Sequence, residues 1–174
     1  SRDWAYLRDV QEKVAEGIDG VELISLIDTG DYDDVHPVDK KTPGTRISLN
    51  ILSKIYDLKE EGAEDMYLSF SRKEDNKLTL YFANTYGSIK TGENKLLNIR
   101  NEEEAPKHLY GFEVNYYDAD GAGSMVPDAT IKEDSIVIIL PEGAKYVSYA
   151  YFNYGKVNIY NQKGMPLRPF NIKL

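Results

Sequence analysis

Residues Val21–Pro37 read "VELISLIDTGDYDDVHP". The opening part, Val21–Asp28, is apolar at most positions on both faces, the pattern of a strand buried on both sides within a parallel sheet covered by helices. An acid-rich loop follows, with Asp33 three residues before His36 and Pro37 directly behind it. Open α/β sheets place ligands and reactive groups just past the carboxyl ends of their strands. This reading therefore predicts a catalytic or binding loop at a sheet's rim.

On the amino-terminal side, Trp4, Leu7, Val10 and Val14 recur at three- and four-residue steps, which predicts an amphipathic helix over residues 3–16, stopped by Gly17 and Gly20. On the other side, Thr42 and Pro43 have the character of an N-cap and a first helical position. Ile47, Ile51, Ile55 and Leu58 then form one apolar stripe, and the helix is expected to end near Lys59–Gly62. One strand with two helices can neither satisfy its backbone ladder nor cover its apolar faces alone. More sheet is required, from another chain, a further segment or a neighbouring copy.

Beyond Gly62 the character changes. "DMYLSFSRKEDNKLTLYFA" holds two β-rich runs around Glu74–Lys77 and predicts a hairpin. Further strand-like runs are "YGFEVNYY", "MVPDATI", "SIVIIL", "KYVSYAYF" and "KVNIYNQ". Eleven of the fourteen tyrosines lie in this part, as suits strands that favour aromatic side chains. The expected organisation is α/β plus all-β: residues 1–62 as a piece of an α/β/α domain carrying the Asp/His loop, and residues 63–174 as a β-sandwich.

Composition narrows the function classes. A formal net charge of −8 argues against a nucleic-acid groove and gives no electrostatic attraction to an anionic membrane. No apolar run approaches the roughly 20 residues of a spanning helix, and no apolar segment of a signal peptide follows the first basic residue. With no cysteine, neither a disulfide nor a thiolate zinc site is possible, and His36 and His108 are too few for a histidine-rich metal centre. No cofactor is expected.

Three-residue spacing in a tight loop lets the Asp33 carboxylate reach the near nitrogen of the His36 ring. The far nitrogen would then serve as base to a serine hydroxyl. Pro37 restricts His36 to extended backbone and stiffens its mount. Asp28, Asp31 and Asp34 are competing acids, with Asp28 at the strand's end. Spacing alone is a weak signal, since most surface histidines are solvated and idle.

The surrounding residues add a resemblance. "LIDTGDYDDVHPVDKKTPGTRISLNIL" resembles the last catalytic block of the sialate O-acetylesterase family, a branch of the SGNH-type carbohydrate esterases. That family's Asp-x-x-His-Pro-x-x-Lys and Gly-x-Arg elements match Asp33, His36, Pro37, Lys40, Gly44 and Arg46. "WAYLRDVQ" upstream is similar to the family's Trp-x-x-Leu-Arg-x-x-Gln helix. "YGFEV" and "NIYNQKGMPLRPF" are similar to its Gly-Phe-Glu segment and its Asn-x-x-Gly-Leu-Pro-x-x-Pro-Phe ending, with Met165 in place of leucine. The resemblance implies a serine esterase that removes O-acetyl groups from sialic acids or polysaccharides. His36 would be base and then acid, and Asp33 would orient it. It also implies a secreted or periplasmic setting, which the residues themselves leave open.

The nucleophile is not apparent. None of Ser1, Ser25, Ser48, Ser53, Ser69, Ser71, Ser88, Ser124, Ser135 or Ser148 lies in a Gly-x-Ser-x-Gly elbow or an SGNH-like start. Family topology places the serine before the opening helix, so the chain is expected to be the carboxyl-terminal portion of the enzyme. Its partner would be a serine-bearing segment or second chain, and alone it would be inactive. The alternative is a non-catalytic carbohydrate-binding or structural β-sandwich, with Tyr146, Tyr149, Tyr151 and Tyr154 as stacking faces, although alternating strand tyrosines more often pack against neighbours.

Other motifs have plainer readings. Asp118–Gly123, "DADGAG", lacks the further ligands of a calcium loop at Ala122 and Ala129 and reads as a turn. The acidic run Glu102–Glu104 reads as a solvated connection, and His108 as a loop residue. Lys40 and Arg46 are expected to hold loop carbonyls, and Trp4 and Arg8 to pack and pair.

Overall fold

The computed structural model describes residues 2–59, 61–92, 108–117 and 127–174; the acidic run Glu102–Glu104 and the turn Asp118–Gly123 lie outside them. The described residues form two helices, α1 (Asp3–Gly17) and α2 (Lys41–Lys54), and nine strands: β1 (Tyr67–Glu74), β2 (Lys77–Ala83), β3 (Ile89–Thr91), β4 (Phe112–Asn115), β5 (Asp128–Lys132), β6 (Ser135–Ile139), β7 (Tyr146–Tyr149), β8 (Ile159–Asn161) and β9 (Phe170–Lys173).

All the sheet pairings are antiparallel. A four-stranded sheet runs β1-β2-β6-β5, a three-stranded one β4-β7-β9, and β3 pairs with β8. The predicted hairpin turns at Asp75–Asn76, with Asp75 at φ 52°, a left-handed conformation that aspartate tolerates. Period-two alternation decides which residues fill the centre. Leu78 and Leu80 from β2, with Ile136 and Ile138 from β6, share one core with Phe112 and Val114 from β4 and Val147 and Tyr149 from β7. Tyr149 packs its ring against Phe112 and Phe170 at centroid distances of 5.0 and 6.0 Å.

Three sequence expectations change. Residues 21–28 form no strand with any described residue: 21–26 join no ladder, and 27–28 form a turn closed by the Thr29 N–H donating to the Leu26 carbonyl at 3.0 Å. α2 begins at Lys41 rather than behind Thr42, since the Asp39 carboxylate accepts from the Thr42 N–H at 3.0 Å and takes over the capping role. It ends at Lys54, well before Lys59–Gly62, with Asp57 at φ 55° beyond its end.

The helices also face an unexpected way. On α2 the buried residues are Arg46, Asn50 and Ser53, while Ile47, Ile51 and Ile55 are exposed. On α1 only Ala5 is buried, and Trp4, Leu7, Val10 and Val14 are exposed. Polar groups tie α1 to the β-sheet part. Arg2 pairs with Glu113 at 2.7 Å, Arg8 donates to the carbonyls of Ala150 and Phe152, and the Tyr151 hydroxyl donates to Asp9.

Candidate active site

The loop that carries Asp33 and His36 is closed at its base by a buried ion pair. Arg46, in the second turn of α2, donates through both terminal nitrogens to the two oxygens of Asp28, at 2.6 and 2.7 Å. Asp28 is 0 % exposed, and the Tyr160 hydroxyl from β8 donates to its Oδ2 at 2.9 Å. Arg46 also donates to the Ser25 carbonyl at 3.1 Å. Burial and the Asp28 carboxylate together push the Tyr160 phenol far above its ordinary range, so this hydroxyl stays protonated and donating. Two loop feet and one strand of the β-sheet part thus meet at a single carboxylate.

The ends of the preceding segment are held by side chains as well. The Ser25 N–H donates to Asp65 Oδ2 at 2.6 Å, and Arg168 donates to the Leu23 carbonyl at 2.9 Å and pairs with Asp65 at 3.3 Å. Asp65 is buried, and burial raises its carboxyl above the usual range, outweighing the Ser25 N–H and Arg168. Arg168 belongs to the carboxyl-terminal motif. There Asn161, fully buried, donates to the carbonyls of Glu64 and Asn84 at 3.0 and 2.8 Å and accepts from the Met165 N–H at 2.9 Å. That motif is a corner that fixes the segment ahead of the loop.

Between its feet the loop is solvent-facing. Asp33 and His36 are both exposed, as are Tyr32, Val35 and Val38. Short-range turns shape it: the Asp34 carboxylate accepts from the His36 N–H at 2.7 Å, and Asp31 accepts from the Asp33 N–H at 3.3 Å. The Tyr32 ring meets Tyr154 edge-on at 5.5 Å, an anchor to the β-sheet part. Burial raises the Tyr154 phenol, and the Asp31 and Asp33 carboxylates raise it further. Among the described residues, the Asp33 and His36 side chains make no hydrogen bond to each other, and no serine hydroxyl bonds to His36.

The other candidates fall into place around this loop. Arg46 bonds the Ser25 carbonyl, which lies in the segment ahead of the loop rather than in the loop, and also the Asp28 carboxylate, which spacing did not reveal. Lys40 is exposed immediately before α2. Arg8 is a pairing residue, whereas the Trp4 ring is exposed. Tyr149 and Tyr151 are buried and present no open ring face. His108 is exposed and packs edge-on to Tyr110 at 5.1 Å. The Tyr160–Asp28 contact spans 132 positions, and no local pattern signals it.

No protein-family model and no curated protein matches this sequence. Among solved structures, the fold matches that of a protein described as a novel carbohydrate acetylesterase from Xanthomonas citri, with a TM-score of 0.73 and 20% sequence identity. The match covers 97% of this chain and 36% of the Xanthomonas protein, so the chain spans about a third of that protein's length.

Proposed function

We propose that the chain is the part of a serine carbohydrate esterase that carries the Asp33–His36 loop, and that the complete enzyme removes O-acetyl groups from sugars. In this reading residues 1–62 complete an SGNH-type α/β/α domain of the sialate O-acetylesterase kind, and residues 63–174 form a β-sandwich beside it. The observation that carries it is the fold shared with a carbohydrate acetylesterase over nearly the whole chain. The Asp-x-x-His loop, clamped at its feet and open at its tip, supplies the chemistry.

The nucleophilic serine comes from outside these 174 residues. Its Oγ attacks the acetyl carbonyl while His36 accepts the hydroxyl proton. Collapse of the tetrahedral intermediate expels the sugar oxygen, which takes that proton from His36. Water, deprotonated by His36, then releases acetate and restores the serine. Asp33 orients the ring by accepting from its near N–H. That hydrogen bond forms when the serine-bearing segment packs over the exposed loop and fixes both side chains.

Acetate release from O-acetylated sugars tests the reading. The isolated 174-residue chain should release none, and a protein joining it to the serine-bearing segment should be active. His36→Ala in that protein should lower kcat by several orders of magnitude, because triad members act as a unit. Ordinary turnover by the variant would show that His36 is not the base.

A further inference from the structure

In the stretch from Asp28 to Arg46 only the two end residues are buried. The Asp33–His36 loop therefore has no core of its own, and its placement is set where its ends are held. Ile27 and Asp28 form a turn, closed by the Thr29 N–H donating to the Leu26 carbonyl at 3.0 Å. Both Asp28 oxygens accept from Arg46, and those two partners would move together with the loop they close. A further bond to Oδ2, from the Tyr160 hydroxyl at 2.9 Å, comes instead from the β-sheet part.

That hydroxyl is delivered from a fixed point. Tyr160 stands opposite Lys90 in the β3–β8 pair, and its neighbour Asn161 is fully buried and bonded to three backbone groups. The Tyr160 ring lies against Gly92, where an added Cβ would sit 2.7 Å from Cε2 and 2.8 Å from Cδ2. Glycine at that position leaves the ring its place. The β-sheet part touches the loop again beyond Asp28, where Tyr154 meets Tyr32 one residue before Asp33.

We propose that Tyr160 is a positioning residue for the hydrolysis: its hydroxyl, acting through Asp28, sets the Asp33–His36 loop in register with the β-sheet part. That part is then a component of the catalytic unit rather than an appended module. The role in the reaction rests on the esterase reading, whereas the anchor rests on the hydrogen bonds and the Gly92 contact.

A general base works only within hydrogen-bond reach of the hydroxyl it deprotonates, and a misplacement of about 1 Å costs about a hundredfold in rate. An exposed loop meets that tolerance only if its feet are fixed to something rigid. Tyr160 bonds Asp28 and not the reacting groups, so losing its hydroxyl should slow the chemical step and leave sugar binding as it was.

Two variants test this, Tyr160→Phe and, as a control that loosens the core away from the clamp, Ile138→Val in β6. In the 174-residue chain, hydrogen–deuterium exchange of the Thr29 N–H reports opening of the turn at Asp28. Tyr160→Phe should speed it by about tenfold and Ile138→Val should leave it unchanged. In a protein joining the chain to the serine-bearing segment, Tyr160→Phe should lower kcat for acetate release by about ten- to a hundredfold with KM within about twofold of the parent. Ile138→Val should keep both constants. An unchanged Thr29 rate in Tyr160→Phe overturns the proposal, and so does an unchanged kcat in an active parent. Equal effects of the two variants also overturn it, by showing that the hydroxyl acts through overall stability. A parent that releases no acetate removes the esterase reading, and exchange alone then decides the anchor.

Discussion

Arg46 and Asp28 stand 18 positions apart in sequence and meet through two parallel hydrogen bonds of 2.6 and 2.7 Å, with everything between them forming the Asp33–His36 loop and the start of α2. Taking a guanidinium and a carboxylate out of water is expensive, and only close two-pronged geometry with further hydrogen bonds offsets it. Here the Ser25 carbonyl and the Tyr160 hydroxyl supply those bonds. Arg46→Met leaves the Asp28 charge buried without its partner and should lower stability by about 3–5 kcal/mol. Urea unfolding of the two proteins measures it. A loss below about 1 kcal/mol would mean that the pair is solvated or dispensable.

Tyr160→Phe isolates the third member of the network. The ring keeps its place and only the hydroxyl bond to Asp28 is lost, so the expected loss is about 1.5–3 kcal/mol, the range for a hydrogen bond to a charged group. The effect should shrink to within about 0.5 kcal/mol when Asp28 is already Asn and Arg46 already Met, because residues sharing one network are non-additive. Full additivity in that cycle would show that Tyr160 packs without coupling to the carboxylate.

Ile51→Asp carries a charge onto the stripe that periodicity marks as the inner face of α2. Since Ile51 is exposed, the variant of the isolated chain should unfold within about 0.5 kcal/mol of the parent. Asn50→Asp, on the buried side of the same helix, should be distinctly destabilising. The reverse order would show that the stripe is buried in this chain.

That inversion explains how far the sequence could be read. Period-3.6 spacing at Leu7, Val10 and Val14, and at Ile47 and Ile51, found both helices, though it carried α2 past its end at Lys54. It could not tell that their apolar sides are exposed and that α2 turns Arg46, Asn50 and Ser53 inward instead. Apolarity on both faces of Val21–Asp28 pointed to a strand, but a strand needs neighbours, and side chains of Asp65, Arg168 and Arg46 bond it on one edge. The hairpin at Asp75–Asn76 is local and was legible, whereas β3 and β9 are short and gave no clear pattern. In the site, Asp33 and His36 were visible as a spaced pair. The Asp28–Arg46–Tyr160 clamp joins three distant positions and leaves no periodic trace.

Gly62 tests the packing between the end of the α-helical part and α2. A Cβ there would lie 2.4 Å from the Ser53 backbone nitrogen and 2.7 Å from its Cα, which are helix backbone and cannot rotate away. Gly62→Ala should cost about 1–3 kcal/mol through forced backbone shifts. Gly44→Ala, at a position with open space around the added carbon, should be neutral or slightly stabilising in a helix. Equal midpoints for the two variants in thermal unfolding would refute the close approach.

Asp65 gives stability a pH dependence of known sign. Burial raises its folded pKa above the ordinary value of about 3.9. Between those two values the folded state holds more proton than the unfolded one, so this group's contribution is fully present below the ordinary pKa and is lost as pH rises through the folded pKa. Asp65→Asn keeps the shape and an oxygen to accept from the Ser25 N–H but cannot titrate. The stability of the parent relative to Asp65→Asn should therefore fall as pH rises from the ordinary carboxylate pKa through the raised folded one, with other titrating groups cancelling in the difference. Urea unfolding of both proteins across that range measures it. A difference that grows with pH would mean that Arg168 and the Ser25 N–H hold the carboxylate ionised and that burial is the lesser effect.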